Sequence, residues 1–285
     1  MPQLFKYIDT HCHLNFKEFK DDADEVIAHS LAADTALILV SSEIKTSERA
    51  VTYADKYEAG VYAAIGLHPI HLENILAENH NVDGDYKFET RAEEFNYQAY
   101  FDLAKGNKKV VAIGEIGLDY FHIDKSSDVA ITKDKQIKVF KEQLKLAHNL
   151  DLPVIIHCRE AHEDLLPLLT EFKAEYQKGE NWGVIHCFSG DLVLAEKYRE
   201  LGLMISFTGL ITFAKNWDEV IRNFPIENMM IETDSPYMAP IPFRGTRNEP
   251  KNVREVARRM GMLKSLSMED VGALTYKNAQ MIFKI

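Results

Sequence analysis

Apolar residues along this chain gather into eight short β-rich runs: Tyr7–Leu14, Thr35–Ser42, Val61–Pro69, Val110–Tyr120, Leu152–Arg159, Gly183–Gly190, Met204–Thr212 and Asn228–Pro236. Within them the hydrophobic positions are continuous (ALILV, VVAI, PVII, MMI) rather than strictly alternating, as expected of parallel strands covered on both faces. Between the runs the spacing becomes helical. It predicts helices over Asp22–Ala33, Thr46–Tyr57, Arg91–Ala104, Lys133–Leu150, Ala161–Gln177, Asp191–Leu201 and a short Trp217–Asn223, with Val253–Met260 and Met268–Phe283 following the last strand. Eight repeats of strand then helix, without a long linker, predict an α/β fold of the (β/α)8 TIM-barrel type, a single domain over residues 1–285. A doubly wound open sheet is the competing architecture, but its glycine-rich first turn, GxGxxG, is absent. The longest interruptions, Ile70–Glu89 and Tyr237–Lys251, are read as loops on the barrel face that carries chemistry.

Composition narrows the class. The chain has 285 residues, 46% of them hydrophobic, which suits one globular barrel with a large core. No run approaches the roughly 20 apolar residues of a membrane span, so no membrane partner is expected. The start, MPQLFKYID, reaches an aspartate before any apolar stretch resembling a secretory signal. Three cysteines without scaffold spacing fit a reducing, cytoplasmic setting. Each cysteine directly follows a histidine (His11-Cys12, His157-Cys158, His186-Cys187), so strand alternation should point each thiol away from its neighbouring imidazole, into the helix layer. A net charge of −11 predicts weak non-specific binding to long polyanions, although bound cations can supply a local positive field to an acidic protein.

Six residues of metal-ligand type sit at the ends of five of these runs: His11, His13, Glu115, His157, His186 and Asp234. A lone strand-end histidine is ordinarily solvated or satisfied by a neighbour. Convergence of all six on one parallel sheet would instead make a metal site. Four imidazoles and two carboxylates exceed the needs of one tetrahedral ion and match two ions bridged by a carboxylate. Imidazole suits zinc, and mixed nitrogen and oxygen sets admit manganese or iron. A purely structural metal site would more commonly use thiolates from closely spaced loops. The sequence also lacks GxSxG and the GxxxxGK phosphate loop, which excludes the serine-hydrolase and P-loop readings.

The motifs DTHCHL, GLHP, GEIGLDY, PVIIHCRE, IHCFSG and ETDSPYMAP, followed by RGTRNEP, resemble nearly end to end the TatD family of metal-dependent deoxyribonucleases, within the amidohydrolase-type barrels. The resemblance implies that His11, His13 and Asp234 serve one divalent ion, that Glu115 bridges, and that His157 and His186 hold a second, the ions being zinc, manganese or magnesium. It implies DNA as the partner. A mouth enclosed by loops suits a single-stranded terminus or 3′ end, cut stepwise from an end, better than a duplex interior, and no obligate protein partner is evident. One departure is visible: where the family often has GxHPH, this chain has Ile70 in the second histidine's place and His71 one residue later.

Phosphodiester hydrolysis places negative charge on attacking, phosphoryl and leaving oxygens, which paired cations about 3.5–4 Å apart can neutralise while ionising a water. Asp234 is expected to accept the proton from that water, with Glu115 as the bridging carboxylate. Substrate phosphate needs further donors. Arg159 shares a strand face with His157 and has the fork geometry for phosphate oxygens; His68, at the mouth of the third strand, is a second candidate, and Arg244 and Arg247 are third choices. Glu232 reads as support for a ligand rather than a ligand itself. Lys105–Lys109 reads as a solvated turn, and Arg254, Arg258 and Arg259 as surface residues. Tyr120 and Phe121 fit pocket lining, base stacking or plain packing equally well. The same barrel and ligands also fit an amidohydrolase or phosphotriesterase acting on a small molecule, or a metal-loaded binding protein without turnover.

Overall fold

The computed structural model describes residues 5–81, 84–124 and 128–285. Eight strands form one sheet in the order β1 (Tyr7–Cys12), β2 (Thr35–Val40), β3 (Val61–Ile65), β6 (Val110–Asp119), β7 (Val154–Arg159), β8 (Gly183–Ile185), β9 (Leu203–Phe207) and β10 (Met229–Ile231). Every neighbouring pair in that order is parallel. The sheet closes on itself where Cys12 bridges Ser235 in parallel, the His13 N–H donates to the Ser235 carbonyl at 2.8 Å, and the Asp234 N–H donates to the His11 carbonyl at 2.8 Å. Asp9 reinforces this seam, its carboxylate accepting the N–H groups of His11 (3.2 Å) and Thr233 (2.8 Å). The closed (β/α)8 barrel excludes the open doubly wound sheet.

The helices follow the predicted order: α1 (Ala23–Ala32), α2 (Ile44–Ala54), α3 (Tyr97–Ala104), α4 (Val129–Asn149), α5 (His162–Tyr176), α6 (Leu192–Glu200), α7 (Asp218–Asn223), α8 (Val253–Lys264) and α9 (Met268–Phe283). Differences from the sequence expectation have local causes. Helix α3 starts six residues late because Asn96, not Arg91, supplies the N-cap, its side chain accepting the Ala99 N–H. Helix α4 starts four residues early because the Asp128 carboxylate caps it, accepting from Ala130 and Ile131. The segment read as a plain loop, Ile70–Glu89, contains an antiparallel hairpin of β4 (Leu76–Asn81) and β5 (Gly84–Glu89); its tip residues Val82 and Asp83 lie outside the described residues. Strand β9 ends at Phe207, and Gly209–Thr212 turns into a short 3-10 helix.

Two buried layers position the site. Inside the barrel, Ile8, Ile38, Val40, Val111, Ile155, Val184, Met204 and Met230 fill the lower part, floored by Tyr276 and Phe283 of α9. Between strands and helices lies the larger core that includes Leu37, Ile65, Ile113, Ile156, Ile185 and Ile231. Each fully buried aliphatic side chain of these layers contributes about 1.5–3 kcal/mol. Period-2 alternation then carries the inward face of three strands upward from apolar to polar: Ile155 to His157 to Arg159, Val184 to His186, and Met230 to Glu232. No helix among the described residues is long and apolar enough to cross a membrane.

Candidate active site

All six predicted ligand residues converge above the apolar floor. They do not all end strands. Glu115 lies mid-way along β6, where the register with β7 is irregular between Ile113 and Ile116; His186 follows the short β8; Asp234 stands three residues beyond β10 in a left-handed conformation (φ 56°). The Glu115 carboxylate is the centre. Its Oε2 lies 3.4 Å from His11 Nε2, whereas its Oε1 lies 2.6 Å from His186 Nε2, 2.8 Å from His157 Nδ1 and 3.3 Å from His68 Nε2. On the first side, His11 Nε2 and His13 Nε2 are 3.2 Å apart and Asp234 Oδ1 is 3.0 Å from His13 Nε2. On the second, His157 Nδ1 and His186 Nε2 are 3.3 Å apart.

These donors fit cations. Ligands at about 2.0–2.1 Å from a tetrahedral ion lie about 3.3–3.4 Å from one another; the donors are 3.0–3.7 Å apart among His11, His13 and Asp234 and 2.6–3.3 Å apart among Glu115, His157 and His186. The tautomers point the same way. His13 Nδ1 faces the Val40 carbonyl at 3.0 Å and must donate, which leaves the Nε2 lone pair facing Asp234 and His11. His157 Nε2 faces the Asp119 carboxylate at 3.0 Å and must donate, which turns its Nδ1 lone pair toward Glu115. Lone pairs opposed to carboxylate oxygens at 2.8–3.0 Å repel unless a proton or cation lies between them. The same opposition moves the acid–base equilibria. Burial alone would depress His186, yet Glu115 and then Glu232 raise it well above the usual imidazole range. Burial alone would raise Glu115, yet His186, His68 and His11 hold it well below the usual carboxylate range.

Four groups hold these side chains in place. Asp119, which the sequence reading left unassigned, accepts from His157 Nε2 (3.0 Å) and His122 Nδ1 (2.8 Å) on Oδ2 and from the His122 N–H (2.9 Å) on Oδ1. It shares the inward face of β6 with Glu115, and between them Gly117 (φ 143°) lets β7 approach so closely that a Cβ there would meet the His157 carbonyl at 2.0 Å. Glu232 accepts the Cys187 N–H (2.7 Å) and the Ser206 hydroxyl (2.6 Å) and lies 3.5 Å from His186 Nδ1, the supporting place expected of it. Two buried glutamines of α4, seven residues apart on one face, clamp backbone from behind. Gln136 donates to the Asp119 carbonyl and accepts its N–H (2.8 and 2.9 Å), and Gln143 does the same for Leu67, next to His68 (2.9 and 2.8 Å). Buried polar side chains recurring on an otherwise apolar helix face were the signal for them.

The substrate-facing candidates separate. His68 joins the cluster: its Nδ1 accepts the Ile70 N–H at 3.1 Å, which places the proton on Nε2 beside Glu115, and burial lowers its pKa to about 4. Arg159 stacks on Phe121 with its Cζ 3.9 Å from the ring centroid. Arg244 lies over Phe213, its Cζ 4.0 Å from the ring centroid. Arg247 is committed to structure, paired through both terminal nitrogens with the Asp22 carboxylate and laid over Phe19. Arg258 pairs with Glu255, and Arg259 with Asp218. The thiols of Cys12 and Cys158 point outward as expected, toward the Ile38 carbonyl and His162. Cys187 does not, because the chain has left β8 by then (φ 44°); its sulfur rests 3.6 Å from Met238 Sδ. Burial pushes the Cys158 thiol up to about 12, so it is no thiolate nucleophile.

Residues 8–284 match the family described as TatD related DNase. The chain belongs to the TatD family. This TatD-family chain is 36% identical over 280 residues to YabD of Bacillus subtilis, an uncharacterized metal-dependent hydrolase, covering 97% of this chain and 98% of YabD. It superposes on the crystal structure of YjjV, a TatD homolog from Escherichia coli, with a TM-score of 0.82 at 30% identity, over 99% of each chain. The phosphotriesterase homology protein of Escherichia coli shares the barrel alone, with a TM-score of 0.59 at 14% identity over 97% of this chain and 98% of that one. The protein is a metal-dependent hydrolase of the TatD family, with histidine and carboxylate groups positioned to bind metal.

Proposed function

We propose that this TatD-family hydrolase cleaves phosphodiester bonds of single-stranded DNA, working inward from a terminus, with two divalent cations in its site. The observation that carries the reading is the fixed tautomer of His68, which aims an N–H donor into the cluster beside Glu115. An amide substrate develops one oxyanion, which a cation alone can hold. A phosphodiester carries two non-bridging oxygens and calls for a donor in addition. His11, His13 and Asp234 would hold one cation, His157 and His186 the other, with Glu115 shared between them. Cations bound there would lower the pKa of a water and neutralise charge developing on phosphoryl oxygens.

The chain's own groups supply the rest. Asp234 Oδ1, 3.0 Å from His13 Nε2, is placed to accept a proton at the edge of the first half-site, and a cation bound there would keep its carboxylate ionised. His68 Nε2–H donates to a phosphoryl oxygen resting beside Glu115. Arg159, two residues past His157 on the same face of β7, meets the substrate further out. The test is a panel of a single-stranded oligonucleotide, a hydantoin-like amide and a phosphotriester, each assayed with manganese or magnesium. Release of nucleotides with little turnover of the other two is the expected result; amide or triester hydrolysis without nucleotide release would overturn the nuclease reading.

A further inference from the structure

We propose that Phe121, with Arg159 laid across it, forms a nucleotide subsite next to the metal cluster: the guanidinium takes the phosphate adjoining the scissile one, and the ring stacks the base of that nucleotide. This rests on the single-strand DNA reading above and deepens it. Tyr120, one residue earlier, is fully engaged, its hydroxyl donating to Asp164 at 2.8 Å and its ring covered by Lys133 Nζ at 3.9 Å. Phe121 is different. It is 42% exposed, a large apolar ring presented to solvent at the top of β6.

Its neighbours fix it relative to the site. The His122 ring meets Phe121 edge-on (4.9 Å, 87°), His122 Nδ1 donates to Asp119 at 2.8 Å, and the same carboxylate oxygen accepts from the candidate ligand His157 at 3.0 Å. The Phe121 ring is thus linked through His122 and the Asp119 carboxylate to His157.

Arg159 gives the subsite its charge. Its Cζ sits over the ring, 3.9 Å from the Phe121 centroid, a cation–π contact that holds the guanidinium against one face of the ring. Its five N–H groups lie in the guanidinium plane, and no described residue takes a hydrogen bond or ion pair from them, so they remain for an acceptor. Two residues along an extended strand separate Arg159 from His157 by about 6.6 Å, the scale of one nucleotide step. An anion donor over one face of a ring that is still 42% exposed, one step from the cluster, matches a phosphate and a base of the same strand, the base taking the part of the ring that Arg159 leaves uncovered. A base stacked in a duplex cannot use that face, so the subsite selects an unpaired strand.

The test uses the manganese-loaded protein and a thymidine octanucleotide in which one abasic unit is walked along the strand. In the wild type, one abasic position should lower kcat/KM about tenfold relative to the intact octamer. In Phe121→Ala that ratio should fall close to one, and in Phe121→Trp it should persist. A merely structural role for Phe121 would depress both substrates alike and leave the ratio where it was. In Phe121→Trp the added indole fluorescence should be quenched on mixing with the intact octamer and not with the octamer that is abasic at the sensitive position. Equal rates at every abasic position in the wild type, or an undiminished ratio in Phe121→Ala, would overturn the subsite while leaving the nuclease reading in place. A wild type that cleaves no oligonucleotide would overturn both.

Discussion

Replacing Asp119 with asparagine should weaken one cation position and spare the other. The wild-type carboxylate receives three N–H groups: Oδ2 takes His157 Nε2 at 3.0 Å and His122 Nδ1 at 2.8 Å, and Oδ1 takes the His122 N–H at 2.9 Å. Burial opposes its ionisation, but the two imidazoles hold it far below the ordinary carboxylate range. An asparagine has one acceptor and must choose. With its oxygen toward the backbone, the amide NH2 confronts both imidazole N–H groups, and relief requires His157 to move its proton onto Nδ1, the atom 2.8 Å from Glu115 that would bind metal. With its oxygen toward the imidazoles, the NH2 confronts a backbone N–H, leaving a buried donor unsatisfied at a cost of about 1–3 kcal/mol. The second arrangement keeps the ligand but exchanges a charged acceptor for a neutral one. Loss of such a supporting partner typically lowers metal affinity about 10–100-fold, or about 1.4–2.8 kcal/mol. Calorimetric titration of chelator-stripped protein with manganese measures this directly. Affinity at the His157/His186 position should fall by that factor, that at the His11/His13/Asp234 position should stay within a few-fold, and saturating manganese should recover much of the turnover. Wild-type affinity at both positions, or an equal loss at both, would refute the claim that Asp119 acts through His157.

Asp234→Asn should lower kcat about 10²- to 10⁴-fold, the usual contribution of a positioned proton acceptor, while elemental analysis still finds most of the metal bound; full turnover would exclude the role. His68→Gln should lower kcat/KM on an oligonucleotide about 10–100-fold, the value of a hydrogen bond to a charged group at about 1.5–3 kcal/mol. Because burial lowers the His68 pKa to about 4, the imidazole is neutral at every pH above that value, so the penalty should be constant from pH 6 to 9; a penalty that vanishes at one end of that range would mean that His68 titrates there. Chelation should abolish activity and lower the melting temperature by roughly 5 °C, since metal at a hundredfold excess over Kd stabilises by about 2.7 kcal/mol, and added manganese should restore both. An unchanged melting curve after verified metal loss would argue that the cluster is held by protein contacts alone.

How much of this was legible follows from what each residue depends on. The barrel and its strand order could be read because the runs are continuously apolar and every connection between them contains a helical segment, a local property of the chain. The placing of His11, His13, His157 and His186 followed from strand parity. Asp234 and Cys187 stand where the backbone has already turned left-handed (φ 56° and 44°), so parity no longer governs them, and the outward direction expected for the Cys187 thiol failed for that reason. The hairpin of β4 and β5 was hidden because LAENHN is mostly polar and does not alternate, which left the short alternation of GDYKFE with no legible partner strand.

The arginines show where sequence reasoning stops and what replaces it. Arg159, Arg244 and Arg247 carry the same donor fork; the strand face shared with His157 put Arg159 first, but nothing local separates Arg244 from Arg247. What separates them is the position of acids distant in sequence: Asp22, 225 residues away, takes both terminal nitrogens of Arg247, whereas among the described residues the Arg159 guanidinium meets a ring and no acid. A guanidinium already paired with a carboxylate must break that pair to hold phosphate; one lying on an aromatic face keeps its stacking and offers its edge. The same distinction orders the histidines. His13 and His157 each donate one nitrogen to a fixed acceptor and so present a lone pair, while His68 accepts from a backbone N–H and so presents a proton. Residue type brought all three to one point, but the atom behind each ring decides whether the ring can bind a cation or must donate to the anion that cation attracts.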